Sequence, residues 1–295
     1  MTVVRKLDFF VFGMPRGGTS AVARYISAVD ALHCGQEVFP VALDHSKLDI
    51  PTGFLEPQAN YWIDSSIEEV TRKADTIQLY GNKTPTYFYR LSGLMTELDN
   101  APSIACVRNP RSVAVSYSTR SLNPKDNWKA GRRGLFAIGD ALMLAHALHH
   151  TPRDAKILVL PQKALLIDWM ATMEKAISHI APGVSAKFND VALEKINKIK
   201  SRQSSSKKAD LEDVELRALK RIEKDGLFDL FNRDDAVLLD EVRDDLARIV
   251  HDGPGNPVGF ILRLAADHPD PIAREYANRW AKPARRAWQS FKATA

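Results

Sequence analysis

The chain has 295 residues, of which 45 % are hydrophobic and 26 % charged, and its 41 Lys and Arg outnumber its 36 Asp and Glu to give a formal net charge of +5. These proportions fit a folded globular protein long enough to bury a sizeable core, and they exclude a disordered or collagen-like chain. Two cysteines exclude a disulfide framework. No apolar run reaches the ~18 residues that a spanning helix needs. The basic residues are too interrupted by acids for a nucleic-acid surface, although a modest positive charge suits an anionic ligand.

In chain order, the apolar run Asp8 to Gly13 reads as a strand, and Gly13-Met14-Pro15-Arg16-Gly17-Gly18-Thr19-Ser20 as a glycine-rich turn. A helix is expected over Gly18 to Val29. Strand, turn and helix start together make an anion cradle, because the first N–H groups of a helix are free and its dipole favours negative charge. The spacing copies a Walker A loop, but Thr19 stands where that loop needs its lysine, and Arg16 is the cation inside it. The reading is a phosphate-like group held without the magnesium apparatus. Further strands are expected at Thr76 to Tyr80, Ser103 to Arg108 and Lys156 to Leu160, and helices at Tyr87 to Leu98, Pro110 to Arg120, Leu135 to His149 and Trp169 to Ile180. Pro110 suits a first helical position, which leaves Arg108 at the strand's carboxyl end and Ser116 about two turns into the helix. The polar stretch Ser121 to Arg133 reads either as part of an acceptor cleft or as a solvated connection. Residues 195–208 are basic and broken by Ser204 to Ser206, and helical periodicity returns over Leu211 to Lys224 and Ala236 to His251. The tail from Arg279 mixes Lys282, Arg285, Arg286 and Lys292 with Trp280, Trp288 and Phe291. It suits packing on the domain or on a second copy, or contact with an anionic membrane surface, with Pro283 interrupting a long membrane-lying face.

Alternation of strand and helix implies an α/β fold: a three-layer domain with a central parallel sheet between helices, followed by a largely helical C-terminal part. Ligands of such sheets lie beyond the carboxyl ends of the strands, where both charged turns fall. Cys106 reads as a small core hydrophobe and Cys34 as structural. No cluster of His and Cys has metal-ligand spacing, and His149-His150 reads as a helix end, so no metal is expected.

Pro15 to Ser20, together with Arg108 and Ser116 about 90 residues further on, resemble the two nucleotide signatures of the sulfotransferases that use 3′-phosphoadenosine 5′-phosphosulfate (PAPS). The resemblance implies a P-loop-like fold. It also implies that Pro15, Arg16, Gly17, Gly18, Thr19 and Ser20 hold the 5′-phosphosulfate while Arg108 and Ser116 hold the 3′-phosphate. Tyr80-Gly81-Asn82-Lys83-Thr84-Pro85 looks like the lysine segment of Golgi-type carbohydrate and tyrosine-protein sulfotransferases and their bacterial relatives. Cys34 to Pro40 looks like the segment in which those groups keep a catalytic glutamate, here Glu37. Glu56 and His45 compete for that role. Arg16 in place of the lysine of cytosolic sulfotransferases places the chain nearer the Golgi-type and bacterial branch. No C-terminal Arg-Lys-Gly motif is present, so the distal clamp on the 3′-phosphate stays unassigned, with residues 201–208 as a candidate. The likeness covers roughly residues 8–185 and gives a sulfotransferase domain over 1–265 with a basic aromatic tail over 266–295. It implies sulfuryl transfer from PAPS to an acceptor hydroxyl on a carbohydrate or glycolipid, the partner being a small-molecule or glycan acceptor, with Glu37 as general base and Arg16 and Lys83 stabilising charge. A P-loop phosphotransferase and a catalytically idle nucleotide-binding protein are the alternatives. Met1 to Asp8 runs straight into the first strand without an apolar leader, so a cytoplasmic, bacterial enzyme is expected.

Overall fold

The computed structural model describes residues 6–50, 54, 63–188, 193–194 and 209–294. Six strands form one sheet: β1 (Phe9–Gly13), β2 (Leu32–Gln36), β3 (Leu79–Lys83), β4 (Ser103–Val107), β5 (Ile157–Pro161) and β6 (Val237–Leu238). Their order is β2-β3-β1-β4-β5-β6, parallel throughout except that β6 runs antiparallel to β5. The side chains of the three central strands alternate between two buried cores, which is why these runs are apolar at every position and not at every second one. Phe9, Val11, Ile104, Cys106, Leu158 and Leu160 face one layer, and Phe10, Phe12, Ala105, Val107, Ile157 and Val159 face the other.

The first layer holds α1 (Thr19–Ser27) and, from later in the chain, Trp169–Ile180; α2 (Ile63–Arg72) packs at the β2 edge. The opposite layer begins with α3 (Leu91–Glu97), α4 (Pro110–Ser121) and α5 (Gly134–His149). After β5 come α6 (Gln162–Ile167) and α7 (Trp169–Ile180). Then α8 (Asp213–Glu223), α9 (Leu227–Phe231), α10 (Arg243–Asp252), α11 (Pro257–Ala266) and α12 (Pro271–Thr294) complete the layer around α5. Helix α5 is buried along almost its whole length, so its sequence is apolar around most of its circumference, with Asp140 and His146 as buried exceptions.

Several expected elements move. Leu32–Gln36 is a strand that the reading missed, since Leu-His-Cys-Gly-Gln is short and carries too little β-branched content to stand out. The strand expected over Thr76 to Tyr80 lies at Leu79–Lys83, which puts Lys83 at its end and not in a following loop. Tyr87 to Leu98 divides into a 3₁₀ turn over Pro85–Arg90 and then α3. Ala236 to His251 begins as β6 and a 3₁₀ turn before α10, and β6 makes the sheet mixed instead of wholly parallel. Pro283 does not end the terminal helix, which continues to Thr294 and buries Trp280 and Phe291 in the core around α5.

Candidate active site

The cradle after β1 is shaped by close backbone approaches. Gly13 has φ 143°, and a Cβ there would stand 2.0 Å from the Cys106 carbonyl oxygen of β4. Gly18 is the N-cap of α1 at φ 101°, and no side chain caps this helix end. Thr19 and Ser20 open the helix, so their N–H groups are among those a helix leaves unpaired. Pro15 is buried below the turn, while Arg16 at its tip is exposed and has φ 67°.

Arg16 joins the two sequence motifs. Its Nε donates to Ser116 Oγ at 3.2 Å, and Arg108 Nη1 donates to the Arg16 carbonyl oxygen at 3.1 Å. No carboxylate pairs with either guanidinium among the described residues. Partial desolvation first, and then Arg120, lowers the pKa of Arg16 against an opposing pull from Asp126, although the residue as a whole stays open to solvent; partial desolvation and then Arg16 lower that of Arg108. Cations crowded together with no carboxylate in direct contact among the described residues, beside an uncapped helix N-terminus, make a site that an anion relieves.

The second half of the site stands on the neighbouring strands. Lys83 ends β3 in register with Gln36 of β2 and Val11 of β1, and Glu37 follows β2 directly. Lys83 Nζ donates to Glu37 Oε1 at 2.7 Å, and the Glu37 N–H donates to the Lys83 carbonyl oxygen at 2.6 Å. The lysine side chain is 2 % exposed and the glutamate 45 %, so the carboxylate is the member of the pair that meets solvent. Glu37 holds φ 62°, a left-handed turn from which its carboxylate meets Lys83 of the neighbouring strand.

A buried network holds that turn. Asn82 Oδ1 accepts from the Val38 N–H at 3.3 Å, and Asn82 Nδ2 donates to the Phe39 carbonyl at 3.3 Å and to Tyr87 OH at 2.5 Å. Thr84 Oγ1 donates to the same carbonyl at 3.1 Å. His45 Nδ1 lies 2.8 Å from the Leu43 carbonyl, which can only accept, so this nitrogen carries the proton. Its Nε2 then accepts from Tyr87 OH at 2.9 Å, and burial lowers the imidazole pKa.

Of the residues singled out in the sequence, Glu37 and Lys83 form one pair, and Arg16, Arg108 and Ser116 one cluster, with Thr19 and Ser20 at the helix start between them. His45 is fully buried and faces Tyr87, which corrects it from a competing base to a support of the turn. Glu56 and residues 201–208 lie outside the described residues. Cys34 and Cys106 are buried with thiol pKa values raised by burial, as inert packing groups have. The stretch between α4 and α5 is folded: Arg120 pairs bidentately with Asp126, and the Arg120 and Arg132 guanidinium groups both lie over the Trp128 ring. Three contributors went unread: Asn82, Tyr87 and Gln162. A Cβ on Gly18 would lie 3.7 Å from Gln162 Cγ, so the first residue after β5 also borders the cradle. Its signal in the sequence was a polar residue closing the apolar run Ile157–Pro161.

The profile described as the sulfotransferase family matches residues 8–181, a span that takes in all five parallel strands and every residue of the two clusters. No curated protein sequence matches the chain. Among solved structures, a sulfotransferase from Alicyclobacillus acidocaldarius aligns at 14 % identity and TM-score 0.46, over 84 % of this chain and 96 % of that one. The sulfotransferase domain of the Synechococcus PCC 7002 olefin synthase aligns at 14 % identity and TM-score 0.41, over 72 % and 92 %. With more than half of its length matched by the profile, the motifs that carry the cradle included, the chain belongs to the sulfotransferase family.

Proposed function

We propose that the protein transfers a sulfuryl group from PAPS to a hydroxyl of a small-molecule or carbohydrate acceptor. The observation that carries this reading is a row of groups at the carboxyl ends of four adjacent parallel strands: Glu37 after β2, Lys83 on β3, the Arg16 cradle after β1 and Arg108 after β4. In this reading the N-terminus of α1, with Thr19, Ser20 and Arg16, holds the 5′-phosphosulfate. Arg108 and Ser116 hold the 3′-phosphate, a group that ordinary adenine nucleotides lack. The acceptor oxygen attacks sulfur, the bond from sulfur to the 5′-phosphate oxygen breaks, and 3′,5′-bisphosphate leaves. Glu37 takes the acceptor proton, a service worth about 10²–10⁴ in rate. Lys83 and Arg16 are fixed cations for the leaving oxygen and the sulfuryl oxygens, so that the chain itself supplies the charge stabilisation.

The test is binding and turnover with and without Arg108. Adenosine 3′,5′-bisphosphate is expected to bind far more tightly than AMP, and Arg108→Ala to remove about tenfold to a hundredfold of that difference, the worth of one charge-assisted contact. Turnover with PAPS is expected to survive excess EDTA. Equal affinity for the two nucleotides, or a strict need for magnesium with ATP as donor, would replace this reading by that of a phosphotransferase.

A further inference from the structure

The terminal helix α12 divides its residues cleanly. Ala273, Ala277, Trp280, Ala281, Ala284, Ala287 and Phe291 are buried on the domain, and Arg274, Arg279, Lys282, Arg285, Arg286 and Lys292 are exposed. At 3.6 residues per turn the six cations fall within an arc of about 140° and span about 27 Å of helix. Glu275 is the single acid in Pro271–Thr294. This helix therefore holds the whole formal net charge of +5, and the rest of the chain is neutral. Arg279 lies 3.6 Å from Glu275, Arg274 donates to the His268 carbonyl, and Lys292 lies over the Trp288 ring. Lys282, Arg285 and Arg286, at its middle, have no ionic partner among the described residues.

We infer that this stripe is an electrostatic docking surface for an anionic lipid bilayer. A second copy docking symmetrically through the same helix would meet it with the same charge and be repelled. A single-stranded polyanion is favoured by a groove and by exposed aromatic rings for stacking, whereas this helix is convex and turns Trp280 and Phe291 inward. A row of long cationic side chains within one arc of a continuous helix, which Pro283 does not end, fits a flat, negatively charged plane. Because the apolar face is packed against the domain apart from Ile272 at the start of the helix and the partly buried Trp288, contact is chiefly at the headgroups and is reversed by salt. Each cation brought to such a surface is worth about fivefold in partitioning. The inference does not depend on the reaction that the protein catalyses.

Cosedimentation of the full chain with vesicles tests it. Vesicles of phosphatidylcholine with about 30 % phosphatidylglycerol are expected to retain the protein in about 0.05 M salt and release it in about 0.5 M, and phosphatidylcholine alone to leave it in solution. The triple substitution Lys282→Glu, Arg285→Glu, Arg286→Glu is expected to cut partitioning at least tenfold, with nucleotide binding and melting temperature unchanged because these side chains hold nothing in the fold. A milder Lys282→Gln, Arg285→Gln, Arg286→Gln variant gives an intermediate loss if charge is the cause. Wild-type retention of the triple variant, equal retention on neutral vesicles, or binding to heparin or DNA at physiological salt without binding to anionic vesicles would overturn it.

Discussion

Arg16 and Glu37 hold φ 67° and 62°, in the left-handed region that costs a non-glycine residue about 1 kcal/mol or more. Asp99 and Asn100 share this geometry in an exposed turn, where short polar side chains tolerate it. Arg16 and Glu37 instead follow the carboxyl ends of β1 and β2 in the candidate site, the kind of place where such strain is most often kept. Glu37→Gln keeps the shape and most hydrogen bonding of the pair with Lys83 but removes the proton acceptor. Turnover is expected to fall at least about a hundredfold, while affinity for adenosine 3′,5′-bisphosphate stays within a few-fold. Steady-state kinetics and calorimetry with the same preparation separate the two. Near-normal turnover in this variant would move the base elsewhere and leave the donor assignment standing.

Helices α4, α5 and α12 meet on one carboxylate. Asp140 of α5 is fully buried and accepts from Tyr89 OH at 2.7 Å, Tyr117 OH at 2.7 Å, Trp280 Nε1 at 2.8 Å and Arg132 Nη2 at 3.1 Å. Burial, with Asp140 nearby, raises the pKa of both tyrosines, so each remains a donor, and Arg132 is the counter-charge. Asp140→Ala strands that guanidinium and three other donors in the core, and about 3–5 kcal/mol of stability is expected to be lost. Chemical denaturation measures it; a loss under 1 kcal/mol would mean that water replaces the carboxylate. A second carboxylate, Glu215 of α8, accepts from the Leu135 N–H at 3.0 Å and so caps α5 from a distant helix. Both elements depend on partners far along the chain, and no local pattern in the sequence announces either contact.

Across the whole molecule, neutral buried histidines set a pH limit. Burial, with Lys73 beside it, lowers the pKa of His33 to about 3; burial, with His150 and His149 nearby, lowers that of His146 to about 3. Above about pH 6.5 neither folded nor unfolded chain protonates them. As pH falls from there toward 3, the unfolded chain takes up protons that the folded one refuses, so stability declines by about 1.4 kcal/mol per pH unit for each histidine. The slope of unfolding free energy between pH 6 and 5, measured by urea titration, is expected to drop by about one proton in His33→Leu; an unchanged slope would refute the assignment. The mostly parallel sheet and the glycine-rich turn were legible from residue order, because strands buried on both faces are largely apolar and a tight turn needs glycine where the backbone closes on its neighbour. The pairing of Arg16 with Ser116 was legible only as two motifs, since a contact across 100 residues has no local signature. The sequence by itself therefore determined the layers and the glycine-rich turn after β1, and it named the residues, Glu37 with Lys83 and Arg16 with Arg108 and Ser116, that the fold brings together. Only the tertiary structure decided that Glu37 leaves a strand instead of a loop, that Asn82 and Tyr87 hold its turn, and that α12 turns rings inward and cations outward. Those outcomes depend on which surfaces meet, and burial against a partner distant in sequence outweighs the weak preference of any short segment.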